Sequence, residues 1–196
     1  MRRVAQTLVC LVAAGVAIPM VIDAQSTPAT ARSEARIQLG NLLFDDQRYW
    51  EAIPVFDEAK ADAGPDQLAI ASGGLLRSLL QVAEFTQARE EADFLINLAS
   101  DDPEILALRG DALWGVGLFD EAEQVYRDVL AMDAGSAAGR HGMAKSMTTR
   151  GQYDDALDWV RAALEVSPEV ASLHHTLGFI HQRMRRFPEA ADAYQA

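Results

Sequence analysis

Alanine recurs every 34 residues at Ala88, Ala122, Ala156 and Ala190, and an aromatic stands three positions before each: Phe85, Phe119, Tyr153 and Phe187. Tyr49 and Ala52 open the same series, displaced by two residues. A chain that repeats itself at such a period cannot bury the apolar face of one unit within that unit alone; it builds a core between successive copies. Numbering the alanine as position 20 divides the chain into units 33–66, 69–102, 103–136 and 137–170, with a partial unit at 171–196. Gln67 and Leu68 are extra residues beside Gly64-Pro65, which predicts a looser junction between the first two units.

Within a unit, large and small residues alternate at helical spacing. Position 7 holds Leu39, Leu75, Arg109, Met143 and Leu177, and position 11, one turn later on the same face, holds Leu43, Leu79, Leu113 and Met147. Position 8 is Gly40, Leu76, Gly110, Ala144 and Gly178; position 24 is Phe56, Ala92, Tyr126, Val160 and Tyr194; position 27 is Ala59, Leu95, Val129 and Ala163. Small residues at 8 and 20 let two antiparallel helices approach closely, while bulky ones fill the space between neighbouring units. Asp120-Glu121 and Asp154-Asp155 fall in the first turn of the second helices, where the helix dipole favours a carboxylate. Five positions depart from the pattern: Leu76 at a small site, Gly73 and Gly74 inside a helix, Arg109 at an apolar site, and Pro54 beyond the first turn of its helix. Ala122 is expected at a close helix approach and Glu123 on the surface.

A small residue at 8 and 20, an aromatic at 24, Ala at 27 and Pro168 at position 32 resemble the tetratricopeptide repeat, and the resemblance covers 33–196. It implies an all-α fold, a right-handed α-solenoid of tandem helix-turn-helix repeats in which the first helix of each unit lines a concave groove. It places Phe44, Trp114 and Phe179 there as large apolar groups, with Asn41, Arg77, Asp111, Lys145, His141 and His175 as polar ones. Phe44 and Trp114 have a second reading, as covers for the turn between helices. The carboxylate clamp of chaperone-binding members needs Lys at position 5 before Asn at 9; Asn41 is present, but position 5 is Ile37, so that acidic tail is not implied.

No catalytic spacing stands out: there is no phosphate loop, no Gly-x-Ser-x-Gly elbow and no His-Glu-x-x-His. Gly115-Val-Gly117 lacks the third glycine of a dinucleotide loop, and Asp45-Asp46 and Asp101-Asp102 fall at helix ends, where capping and solvated roles prevail. His174 and His181 are seven residues apart on one helical face, but they occupy packing positions and no further ligand accompanies them. The expectation is a chain without cofactor or metal, and not an enzyme.

Residues 1–24 open with Arg2-Arg3, run through an apolar stretch from Val4 to Ile18 and reach Pro19 and Ala24, which reads as a secretory signal peptide. The alternative is an uncleaved membrane anchor, although the stretch is short of the ~20 residues of a spanning helix. Residues 25–32 read as a flexible spacer. The single Cys, Cys10, lies inside the apolar stretch, so no disulfide is available downstream of it. Arg-rich and Lys-poor usage, with two Lys among 17 basic residues, points to a bacterial, periplasmic or secreted protein.

The expected function is that of an exported, non-catalytic scaffold holding a peptide or protein partner in the groove. The net charge of −12 argues against nucleic acid. The acidic excess is concentrated in the first three units, so a basic partner segment would be steered there. Two rivals remain open: the array is the N-terminal arm of a longer exported enzyme, for example a peptidase, or it assembles with copies of itself. The fifth unit stops before position 27 and before any polar capping helix, so the chain is expected to continue beyond 196.

Overall fold

The computed structural model describes residues 28–98 and 102–196. They form ten helices: α1 Pro28–Asp45, α2 Tyr49–Asp62, α3 Pro65–Gln81, α4 Phe85–Leu98, α5 Pro103–Gly115, α6 Phe119–Met132, α7 Ala137–Thr149, α8 Tyr153–Val166, α9 Ala171–Arg183 and α10 Phe187–Gln195. No strand occurs among the described residues. The leader reading of 1–24 lies outside them. So do residues 25–27 of the expected spacer, whereas 28–32 are already helical, with Arg32 paired to Asp62 at 3.0 Å. Among the described residues no helix is long and apolar enough to cross a membrane.

Consecutive helices pack in pairs, and the odd-numbered helices also approach one another in the order α1, α3, α5, α7, α9, while the even-numbered backbones do not. An array whose first helices crowd together curves toward them, so they line the inner side of an all-α solenoid. The core follows the array as two main clusters that meet on α5, where Ala112 belongs to one and Leu113 to the other.

Each hairpin turns at position 15 in the left-handed region: Gln47, Ala83, Gly117, Gly151 and Arg185 have φ of 61°, 62°, 85°, 75° and 61°. Two backbone bonds close each of these turns, as in Arg48 N–H to Leu43 O (2.8 Å) with Gln47 N–H to Phe44 O (2.9 Å). That pair satisfies carbonyls the helix end would otherwise leave unpaired. Gly117 is therefore a turn residue, and a Cβ at Gly115 would lie 2.2 Å from the Phe85 ring, so the Gly-Val-Gly spacing has a packing explanation.

The aromatic at position 24 is a wedge with two neighbours. Phe56 fills the space left by Gly40 in its own unit and Gly74 in the next; a Cβ on either would lie 2.7 or 2.3 Å from its ring. Tyr126 does the same between Gly110 and Gly142, at 2.4 and 2.1 Å. Leu76 is no defect: unit two exchanges the sizes, with Leu76 and Ala92 both fully buried. Arg109 reaches back to Asp93 on the preceding second helix (2.8 Å), an ion pair where units two and four bury Leu75 and Met143. Pro54 is exposed and α2 continues through it.

Ala122 is fully buried, as its spacing suggests. Glu123 corrects the sequence reading, for it is 2% exposed and holds Arg127 and Arg150, with Arg150 Nη2 2.7 Å from its Oε2. Ala122→Leu is predicted to cost about 1–3 kcal/mol by overpacking. The proper surface control is therefore the exposed Glu121, whose Gln variant should move stability by about 0.5 kcal/mol or less. Equal shifts in the urea midpoint of the two variants would refute the packing register.

Candidate functional site

The inner helices of the last three units enclose a cleft of about 510 Å3, lined by Trp114, Phe119, Lys145, Thr148, Thr149, His175, Thr176, Phe179 and Arg183. Repetition explains its assembly, because positions 9, 12 and 13 of an inner helix project inward once the opposite face is buried against its own second helix. Trp114 and Phe119 flank a hairpin turn and meet edge to face at 5.9 Å. Phe179, 40% exposed, faces them from α9, one turn before Arg183.

Under the cleft lies a polar network. Tyr126 Oη donates to Asp111 Oδ1 at 2.7 Å, and the Lys145 ammonium pairs with the same oxygen. Lys145 also stands over the rings of Trp114 (5.3 Å) and Tyr126 (5.5 Å), so its charge is shared between a carboxylate and two π faces. Burial pulls the Asp111 carboxyl upward, but the Lys145 ammonium and the hydrogen bonds from Lys145 and Tyr126 outweigh it and hold the group below its ordinary range. Burial, with Asp111 beside it, pushes the Tyr126 phenol up, so it stays a donor. Trp114 Nε1 donates to Thr149 Oγ1 at 3.3 Å, and His141 Nε2 bonds Thr176 Oγ1 at 2.8 Å, tying α5 to α7 and α7 to α9.

His141 is held down at about 4, first by burial and then by the Lys145 ammonium, against the opposing pull of Asp111. A depressed imidazole pKa means that the unfolded chain takes up the proton first. Its contribution is thus present above the ordinary 6.5 and is lost as pH falls toward 4. Urea midpoints of the wild type and His141→Gln, compared between pH 7 and pH 4, should diverge by about 2–3 kcal/mol, the wild type losing more. Parallel profiles would refute the assignment.

Of the residues the resemblance placed in the groove, Trp114, Lys145, His175 and Phe179 line this cleft, and Asp111 and His141 support it from below. Arg77 is exposed on α3 and pairs with Glu104 at 3.0 Å. Asn41 is exposed on α1, and Phe44 packs on Tyr49 at 5.1 Å, covering the turn of unit one. Those three lie apart from the cleft. His174 binds the Pro168 carbonyl at 2.6 Å, and His181 is buried. Sequence reasoning passed over Phe119, Thr148, Thr149, Thr176 and Arg183. Arg183 occupies position 13, one of the inward positions, and that spacing was the available signal.

The sequence matches two family profiles described as Tetratricopeptide repeat, over residues 74–137 and 113–177. No curated protein sequence matches significantly. Among solved structures, the thermophilic TPR protein TTC0263 of Thermus thermophilus is similar at TM-score 0.72 and 20% identity, over 83% of this chain and 88% of that one. MamA (41-end) from Desulfovibrio magneticus RS-1 is similar at 0.59 and 16%, covering 84% and 92%. YrrB, described as a TPR protein with an unusual peptide-binding site, is similar at 0.53 and 16%, covering 85% and 89%.

Proposed function

The chain belongs to the tetratricopeptide-repeat family, whose stacked hairpins are protein–protein interaction scaffolds, and on that premise we propose that it is an exported, non-catalytic scaffold holding a peptide segment of another protein in its concave surface. The observation that carries this is the cleft itself: an aromatic floor of Trp114, Phe119 and Phe179, partly open to solvent and set on rigid, mutually braced helices. Its volume lies in the roughly 300–1,000 Å3 range of ligand sites. Preorganisation matters because a floor fixed beforehand loses little entropy on binding. The acidic first three units would draw a basic part of the partner toward the N-terminal end.

A partner captured on the immobilised chain from an extract of the source cell gives the test. Trp114→Ala and Phe179→Ala should each weaken its binding by about 10-fold or more, as loss of an aromatic anchor does. Arg127→Ala and Arg161→Ala, on the outer helices, should leave binding nearly unchanged, with circular dichroism confirming all four folds. The reverse pattern would move the site to the convex face. The export part is tested separately: the mature protein in an envelope fraction should begin near residue 25, and a mature chain retaining residues 1–24 would support the anchor instead.

A further inference from the structure

We infer that the cleft between α5, α7 and α9 takes a segment in which a bulky apolar side chain stands next to a carboxylate, so that at this end of the array the partner is acidic. The inference rests on the groove reading above and specifies its ligand. The starting point is a charge count at the site: three basic side chains, Lys145, His175 and Arg183, line the cleft and no Asp or Glu does. This reverses the sign of the whole chain, which carries −12.

The three are not equivalent. Lys145 is already neutralised by Asp111 beside it. Further along the inner surface, Arg77 has Glu104. Arg183 has neither kind of partner: among the described residues no carboxylate lies within ion-pair distance of it. Its Nε donates to the neutral Tyr153 hydroxyl at 3.2 Å, and its guanidinium carbon lies 6.0 Å from the ring centres of Tyr153 and Phe179. Two aromatic rings thus flank the planar fork without consuming its charge. The remaining N–H groups are suited to a bidentate carboxylate. Beside it, Phe179, Trp114 and Phe119 offer apolar area that a small or polar residue would leave uncovered. A ligand that satisfies both features has a large apolar side chain with an Asp, Glu or terminal carboxylate alongside. A basic segment would place like charge against Arg183, and a purely apolar one would desolvate Arg183 without compensation.

The experiment selects a displayed library of random dodecapeptides on the immobilised chain, then measures the selected sequences as synthetic peptides by fluorescence anisotropy at fixed ionic strength. Selection should enrich Trp, Phe or Leu beside Asp or Glu. Arg183→Gln should weaken the best such peptide about 10-fold or more, and the same variant should barely affect that peptide once its acid is changed to the amide. Trp114→Ala and Phe179→Ala should weaken both peptides. If selected peptides need Trp114 and Phe179 but carry no acid and ignore Arg183, the groove reading stands and the acidic assignment is overturned. If they bind regardless of all three residues, the groove reading itself fails. A library yielding no enrichment, or only basic sequences, overturns the proposal. Sedimentation of the chain alone at two concentrations completes the test: a self-association abolished by Phe179→Ala would put a second copy in the cleft and likewise overturn it.

Discussion

Tyr126→Ala is expected to lower stability by about 3–5 kcal/mol, a loss typical of removing a fully buried aromatic. The ring fills the space between Gly110 and Gly142, which carry no side chain with which to close the gap, so relaxation would be small. It also removes the 2.7 Å hydrogen bond to Asp111, leaving Lys145 as the carboxylate's remaining side-chain partner in this network. Tyr126→Phe separates the two effects, since it keeps the wedge and removes the donor; about 1–2 kcal/mol is expected from it. Urea unfolding followed by circular dichroism measures both. Because neighbouring units support one another only through their shared interfaces, the Ala variant should also broaden the transition as units three and four uncouple. A loss below about 1 kcal/mol for Tyr126→Ala would show that the ring is not the wedge between these units.

Two adjacent glycines should respond to the same substitution with opposite signs. Gly73 and Gly74 lie in the middle of α3, where glycine ordinarily weakens a helix by about 0.5–1 kcal/mol relative to alanine. A Cβ at Gly73 meets only the flexible end of Arg77, at 3.7 Å, so Gly73→Ala should stabilise by about that amount. A Cβ at Gly74 would come within 2.3 Å of the buried Phe56 ring, which has no room to retreat because Gly40 already marks its closest approach on the other side. Gly74→Ala should therefore cost about 1–3 kcal/mol, opening a gap of about 1.5–4 kcal/mol between the two variants. The urea midpoints decide it; two shifts of the same sign would sink the wedge account of position 24.

The contrast between these glycines shows where sequence reading succeeded and where it could not reach. Helix order and pairing were legible because a 34-residue period, with small residues at 8 and 20 and apolar residues one turn apart, has few physical solutions other than stacked hairpins. Periodicity is local information, carried by every copy of the repeat, and five imperfect copies average out single departures such as Arg109 or Pro54. Which departures are compensated was not legible. Leu76 reads as an error until Ala92 is seen to be its small counterpart, and Gly74 reads as a weak helix residue until the Phe56 ring is seen against it.

The candidate site divides in the same way. The resemblance to the tetratricopeptide repeat, laid on the register, named Trp114, Lys145, His175 and Phe179 as inward-facing before any contact was known. Their convergence across α5, α7 and α9, and the separation of Asn41, Phe44 and Arg77 from them, depend on how far each helix shifts against the next. The burial of Glu123, the neutralisation of Lys145 by Asp111 and the acid-free surroundings of Arg183 are likewise pairings between units. The repeat unit and its two helices were readable along the chain, because both depend on neighbours within a turn or two. Which charges cancel and which remain for a partner emerged from the packed array, because Coulomb interactions and steric contacts depend on distances between side chains 15 to 35 residues apart in the chain.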